Sequence, residues 1–588
     1  MLKTKDFLTG SGLLLTAVML SLTLANCNGS GFELADSCFN DGGDPLFNYS
    51  WYLANCGQKG ISRAGGTSGV DLNLRATWSS GILGNGIKIR VSDDGLENTH
   101  EDLTGNFPTS STRSRDYVSG DSNNSYLTTT APPHSSSDNH GTSVAGIIAA
   151  VGGNGVGSRG VAPKATLAVA NLLSSMTSQD LTVILNQATG TDFDILNMSW
   201  GYGQFELSPP TSAYEAQLKT AVTSYRNGKG AVLVKAAGND YYTYCFIPGI
   251  DLDYTNADPE GCIGNSNFDG DNINPYQIIV AALDANGIAA QYSSPGANIW
   301  ISGFGGMYGY AEPAMLTTDR MGCTNGWAKS SASAYTPFER GSAPNSKCNY
   351  TATFNGTSSA APTISGAVAL MLEANPSLTW RDVKYILAKT AVPMDYVTTG
   401  TIPHPLGLSV PAGYSWELPW KTNSAGFKFH NWYGFGKVDV DAAVAMAKSY
   451  TSMLGTFTEP NYVSSGTLNV SIGDGSLGGA AISQISISGG TASSVKIESV
   501  RIKVSVTHSD VSQLALELTS PSGMRSILVN MRNSLTNLAN YSDNVFASNA
   551  FYQESSAGLW TLKVIDGVGD GTSGSLTKWE IQFTGAAQ

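Results

Sequence analysis

The sequence predicts two architectures in series: an α/β domain on a parallel sheet over residues 44–455, then an all-β sandwich over 456–588. Two observations predict the first. Short apolar runs read as buried strands, and stretches rich in Ala, Val, Ile and Leu between them read as helices. A third predicts the sandwich: after about Thr458 the helical patterns stop and strands alternate with Gly/Ser/Asn turns.

The chain opens with Lys3 and Lys5, followed by an apolar stretch over Leu13–Ala25 that ends in small residues. This is the pattern of a secretory signal over residues 1–25, with Thr23 and Ala25 at the −3 and −1 positions, so the protein is expected to be exported, periplasmic or extracellular. Leu24–Cys27 also resembles a lipobox, and the alternative is an outer-membrane lipoprotein held through Cys27. Residues 26–43 form a short segment before the first domain, and no later run is long and apolar enough to span a bilayer.

Within the first domain, Ile87–Val91, Ile195–Met198, Ala231–Val234 and Gln277–Leu283 are expected strands, and Gly141–Val151 and Ser359–Glu373 expected helices. Val500–Val506, Leu514–Leu518 and Trp560–Ile565 are expected strands of the sandwich. Apolar residues make up 41% of the 588 and charged residues 13%, which supports a sizeable core and excludes disordered, collagen-like and coiled-coil proteins. The 33 Lys+Arg against 46 Asp+Glu give a net charge of −13. With no basic stripe to meet phosphates, nucleic acid is excluded as the main partner. Of seven Cys, six follow the processing site and fall into sequence-local couples: Cys38–Cys56, Cys245–Cys262 and Cys323–Cys348 are the expected disulfides of an oxidising compartment.

Three segments carry chemistry. Strand 87–91 runs into Asp93-Asp94-Gly95, where a rigidly held carboxylate can orient an imidazole. His140 stands at the mouth of a helix in Asp138–Gly146. Ser358 follows Gly356-Thr357 at the start of another, beside backbone N–H groups and the positive end of the helix. Singly, these are a turn, a structural histidine and a capping serine. Jointly, Asp, His and Ser in this order form a triad: His140 takes the proton of Ser358, a weak nucleophile unaided, and Asp93 fixes the imidazole tautomer.

The three segments resemble the subtilisin-like serine proteases, which implies a three-layer parallel-sheet domain. Ala236–Asn239 falls where that family places an oxyanion-hole Asn, with the Ser358 N–H as second donor. The resemblance narrows to the kexin and furin branch, and is greatest for secreted kexin-like proteases of Gram-negative bacteria. It is carried by Asp44–Phe47, Trp51–Leu53, Asp71–Leu74, Trp78, the doubled Asp93-Asp94, Leu378–Val383 and Tyr433–Asp439. Thr519–Gly523 and Gly558–Leu562 are similar to the P-domain of that branch. The branch implies cleavage of proteins or peptides after basic residues, with Asp94 and Asp138 at the P2 side chain and Asp269 at P1 (P1 being the residue before the scissile bond). Ser199-Trp200-Gly201 resembles the strand that pairs with the substrate backbone. The chain departs from the branch at Tyr202–Gln204, where an acidic residue is usual, and at Ser294, where a Glu is. The resemblance also implies Ca²⁺, held by Asp44, Asp102 and Asn154 side chains and by carbonyls of Val151, Val156 and Ser158, an oxygen-only set suited to a hard cation. Kexin-type enzymes usually carry an N-terminal pro-segment; residues 26–43 are too few for a folded one, so a separate chaperone or inhibitor polypeptide acting in trans is expected.

Overall fold

The computed structural model describes residues 43–108, 114–117, 127–128, 130–175, 193–241, 263–332, 336–394, 405, 407–536 and 538–588. The expected signal, Cys27, Cys38, Cys245 and Cys262 lie outside the described residues.

Eight strands form the first sheet: β1 Lys88–Ser92, β2 Ser114–Arg115, β3 Leu127–Thr128, β4 Thr166–Ala170, β5 Ile195–Met198, β6 Val232–Ala236, β7 Gln277–Leu283 and β8 Ile301–Phe304. Their order is β3-β2-β4-β1-β5-β6-β7-β8. All neighbours are parallel except β2 and β3, which are antiparallel. The inner strands are buried along their length because helices cover the sheet, which is why they read as unbroken apolar runs. Among the described residues the α-helices are α1 Arg75–Ser79, α2 His140–Ala149, α3 Ser212–Ser224, α4 Thr357–Ala374, α5 Trp380–Thr390 and α6 Val440–Ser449. Helix α4 is the central one, buried from Thr357 to Leu372. It owes its close packing to small residues: a Cβ on Gly366 would lie 2.5 Å from the Cβ of Val161.

The C-terminal part is a sandwich of a six-stranded sheet, centred on Val495–Thr507 and Gly574–Ala587, and a four-stranded sheet ordered Ala481–Ile487, Gly558–Asp566, Leu514–Thr519, Arg525–Val529. The sandwich is antiparallel throughout. In Ala481–Ile487 buried and exposed residues alternate strictly, the period of a strand with one wet face. The sandwich docks on the first sheet through polar anchors as well as rings. Arg381 forms a buried ion pair with Glu498, and Arg501, which also pairs with Glu459 of the sandwich at 2.9 Å, reaches Glu215 across the junction. Trp300 meets Tyr552 edge-on at 5.0 Å. The N–H of Ala547 donates to Asn267 Oδ1 (2.9 Å) and Ser534 Oγ to the carbonyl of Gln204 (2.5 Å). The sandwich therefore buttresses two loops, around 204 and 267, that bear on the site described next.

The disulfide Cys323–Cys348 forms as expected. Cys56 is itself disulfide-bonded.

Candidate active site

The expected catalytic residues meet at the carboxyl ends of β1, β5 and β6, where open α/β sheets place ligands. Asp93 is the residue after β1 and is fully buried; its N–H donates to the carbonyl of Ala170 (2.8 Å). Its Oδ1 accepts from the N–H of Asp94 (2.9 Å) and lies 2.8 Å from His140 Nδ1. His140 opens α2, packs edge-on against Phe354 at 5.2 Å, and leaves 27% of its side chain exposed. The turn after Asp93 needs its glycines. Gly95 has φ +124°, and a Cβ on Gly141 would lie 2.1 Å from the Gly95 carbonyl oxygen.

Ser358 sits in the first turn of α4. Pro362 lacks the N–H that would bond the Ser358 carbonyl four residues back; Ser199 Oγ donates to that carbonyl instead (2.8 Å). In return Ser358 Oγ donates to the Ser199 carbonyl (3.0 Å). Because Ser199 follows β5 and β5 neighbours β1, this clasp holds Ser358 at the strand end next to the one that carries Asp93. Asn239, just after β6, is anchored from the other side: its Oδ1 accepts from the N–H (2.8 Å) and Oγ1 (3.0 Å) of Thr357. Gly356, at φ +99°, keeps the space between open, since a Cβ there would lie 3.3 Å from Asn239 Nδ2 and 3.5 Å from the Ser358 N–H nitrogen. Asn239 Nδ2 and the Ser358 N–H thus lie on the same side of Gly356, where two donors could serve one oxygen.

The electrostatics favour a charged imidazole at rest. Burial pushes His140 down, but the charge of Asp93, the hydrogen bond to it and the charge of Asp94 together outweigh this and hold His140 up at about 9. Burial, then the charge of Asp93, push Asp94 up to about 7.

The specificity residues fare differently. Asp94 accepts from the N–H groups of His140 (3.0 Å) and Gly141 (2.7 Å), so it caps α2. Asp138, half-buried, accepts from the N–H groups of His134 and Ser135 and from Ser135 Oγ. Trp200 Nε1 donates to the Ser92 carbonyl (3.0 Å), fixing the start of a segment whose next residues, Gly201, Tyr202 and Gly203, are exposed. Asp269 is brought to the underside of Gly201, but it is enclosed: its carboxylate pairs with Lys235 Nζ at 3.1 Å. Lys235 escaped the sequence reading although a lone cation inside Val232–Ala236 was its signal. Ser294 is buried and its Oγ accepts from the N–H of Asp240.

The expected side-chain calcium ligands Asp44, Asn154 and Asp102 are linked by hydrogen bonds. Asp44 accepts from the N–H groups of Gly153 and Asn154 and pairs with Arg159 at 2.6 Å. Asp102 is wholly buried, yet among the described residues its carboxylate meets neutral groups, Asn154 Nδ2 (2.9 Å), the Ser158 N–H (3.2 Å) and the Tyr350 hydroxyl. A buried carboxylate without a cation is costly. Asn154 Oδ1 accepts from the Val156 N–H (2.9 Å) and its Nδ2 points at Asp102, so binding of a hard divalent cation through the Asn154 oxygen would require this amide to turn over. Arg159, which the sequence reading missed, already balances Asp44.

A parallel α/β sheet carrying an acid and a histidine at its strand ends, with a serine in the first turn of the central helix beside them, defines a serine hydrolase of the subtilisin type. The chain belongs to the subtilase family: residues 84–436 match Peptidase S8, the Subtilase family, and 497–583 match the proprotein convertase P-domain. It is 34% identical over 558 residues to the Aeromonas extracellular serine protease of Aeromonas sobria, covering 90% of this chain and 85% of that one. It is 28% identical to kexin of Saccharomyces cerevisiae, covering 89% of this chain and 54% of kexin. The crystal structure of the Aeromonas sobria serine protease with the chaperone (ORF2) superposes with a TM-score of 0.81 at 30% identity, covering 93% of this chain and 96% of that one. The protein is a subtilase serine endopeptidase related to kexin and furin.

Proposed function

We propose that this protein is an exported, calcium-stabilised serine endopeptidase in which Ser358 is the nucleophile, His140 the base and then the acid, and Asp93 the group that orients His140. Peptide bound along Ser199-Trp200-Gly201 brings its scissile carbonyl to Ser358 Oγ. Neutral His140 accepts the hydroxyl proton through Nε2 while Asp93 holds Nδ1–H, and the imidazolium returns the proton to the leaving amine. Asn239 Nδ2 and the Ser358 N–H donate to the developing oxyanion. Asp94 and Asp138 give the rim beside His140 a negative charge that favours basic residues on the N-terminal side of the scissile bond. A basic residue at P1 itself finds less support, because Asp269 is already paired. Asp102, Asp44 and Asn154, with the Val151, Val156 and Ser158 carbonyls, would hold Ca²⁺, whose charge would stabilise the loop around Asp102.

Export is supported by the charged and apolar start of the chain and by the name of the Aeromonas sobria relative, extracellular serine protease. Among the described residues no helix is long and apolar enough to cross a membrane. A chaperone acting in trans is supported by the Aeromonas sobria protease having been solved with one.

The observation that carries this reading is the convergence of Asp93–His140 and the Ser199–Ser358 clasp on neighbouring strand ends. A fluorophosphonate probe tests it. Ser358 in the intact protein should be labelled and the Ser358→Ala variant should not; labelling elsewhere, or none, overturns it.

A further inference from the structure

We infer that the loop between the strands Met315–Thr318 and Tyr350–Phe354 builds an aromatic subsite on the leaving-group side of the scissile bond. Substrates carrying an aromatic side chain within the first three residues after that bond (P1′–P3′) are thereby selected. The inference rests on Ser358 being the nucleophile and His140 the acid that protonates the leaving amine.

The role of His140 fixes where the leaving half of the peptide goes. Its nitrogen must come within reach of the imidazole, on the side of Ser358 away from the segment Ser199–Gly201 that receives the other half. The chain therefore departs over His140 and over Phe354, whose ring meets the imidazole edge-on at 5.2 Å. A cavity of about 600 Å³ opens there. It is lined by Asn139 and Thr353, the residues immediately before His140 and Phe354, and by three aromatic residues, Tyr308, Tyr310 and Trp327. An extended peptide advances about 3.3 Å per residue, so the first three residues after the bond reach across it.

The loop is anchored to both catalytic helices. Thr317 Oγ1 donates to the Ser143 carbonyl (2.6 Å) and Thr318 Oγ1 to the Thr142 carbonyl (2.7 Å), which ties its first strand to α2. Its second strand leads through Asn355 and Gly356 into α4. Asp319 is fully buried and accepts from the N–H groups of Arg320 (2.8 Å) and Ala328 (2.7 Å), closing the turn that carries Trp327. Gly326 has φ +78°, and a Cβ there would lie 2.5 Å from Asp319 Oδ1, so this turn requires glycine. Arg320 reaches back to the turn before His140, its Nη1 donating to the carbonyls of Ser135 and Asp138 (3.1 Å each). The disulfide Cys323–Cys348 closes the loop. Residues 333–335 lie outside the described residues, and none of these contacts uses them.

The rings held in this way are left open. Trp327 is 43% exposed and Tyr308 46%. The Tyr308 ring stands 6.0 Å from that of Tyr292, whose hydroxyl accepts from the Gly356 N–H (2.9 Å), so the cavity adjoins the turn ahead of Ser358. Tyr310 is backed by the guanidinium of Arg63, 4.1 Å from its ring centre. Exposed aromatic surface gathered in a concave site beside a catalytic centre marks a binding site. It suits an aromatic partner, which buries a large area and meets other rings edge-on or offset.

The test is a set of internally quenched peptides that share one sequence up to the scissile bond. Each carries Ala at P1′–P3′, with Phe or Leu introduced at one position at a time. Wild-type kcat/KM should be at least tenfold higher with Phe than with Ala at one of the three positions, which is about 1.4 kcal/mol of transition-state binding, and Leu there should gain less. Trp327→Ala should lower that Phe-to-Ala ratio at least threefold, and Trp327→Phe should keep most of it. Each ratio compares two substrates on one preparation, so the fraction of enzyme that is folded cancels. A wild-type ratio below ten at all three positions, a gain for Leu equal to that for Phe, or a ratio that falls less than threefold in Trp327→Ala overturns the inference. If Ser358 takes up the fluorophosphonate and the preference is absent, this inference fails alone. If Ser358 is not labelled, the catalytic reading fails and takes this one with it.

Discussion

Replacing Asp94 by Asn should move the alkaline activation of the enzyme to lower pH. His140 must be neutral to accept the Ser358 proton, yet Asp93 at 2.8 Å and the charge of Asp94 hold it at about 9 against the effect of burial. With that value only about 1% of the imidazole is neutral at pH 7, so kcat/KM should climb roughly tenfold per pH unit from 6 to 8 and level above 9. Asp94, at about 7, is half ionised at pH 7 and almost fully ionised by pH 9, so its charge acts on His140 most strongly in the upper part of that window. Removing it leaves the Asp93 contact and hydrogen bond in place and lowers His140. Each full pH unit by which the limb moves raises the rate at pH 7 by about tenfold. The assay is kcat/KM against pH, which reports the free enzyme, on a peptide with uncharged P2 so that loss of Asp94 leaves substrate recognition aside. A limb that stays put, or moves to higher pH, refutes the reasoning. The same coupling fixes a sign for stability. His140 sits above its ordinary value, so its charged form stabilises the fold fully below about pH 6.5 and this contribution fades as pH rises through about 9. Asn also weakens the α2 cap, at a cost of about 1 kcal/mol.

Asn239→Ala should lower kcat by about 10²–10³ with little change in KM, because its amide meets the oxygen only as charge develops; steady-state kinetics on one peptide checks this. Calcium should raise the thermal midpoint of the wild-type protein, by the equivalent of about 2.7 kcal/mol at a hundredfold excess over Kd. Asp102→Asn should abolish that rise, as followed by scanning fluorimetry with calcium and with EDTA. At the junction of sheet and sandwich, Arg381→Met should cost about 3–5 kcal/mol by leaving Glu498 buried without its partner, whereas Arg381→Met with Glu498→Met should recover most of it. Urea unfolding of both variants separates the two outcomes.

How much of this was legible in the sequence depends on how local each constraint is. The strands Ile195–Met198 and Gln277–Leu283 coincide with their apolar runs because a covered parallel sheet admits no other pattern. Gly95, Gly141, Gly356 and Pro362 were readable as motif letters because each meets a local demand: a positive φ, a close approach or a missing donor. Helix ends were less so. The expected helix from Ser359 begins at Thr357, and the one expected to reach Val151 ends at Ala149, where Ala150 turns to ψ 140°. What stayed hidden are cations whose meaning is tertiary. Lys235 and Asp269 are 34 residues apart, and Arg159 and Asp44 115 apart; nothing in either neighbourhood announces the other. Read singly, Asp44 and Asp269 are acids awaiting a metal or a substrate. In the fold each already has a counter-ion, so the acidity of the chain overstates the charge on offer to ligands. Asp102 differs: it is buried, close to Asp44, and meets no cation among the described residues, which makes it the acid on which a calcium requirement should turn.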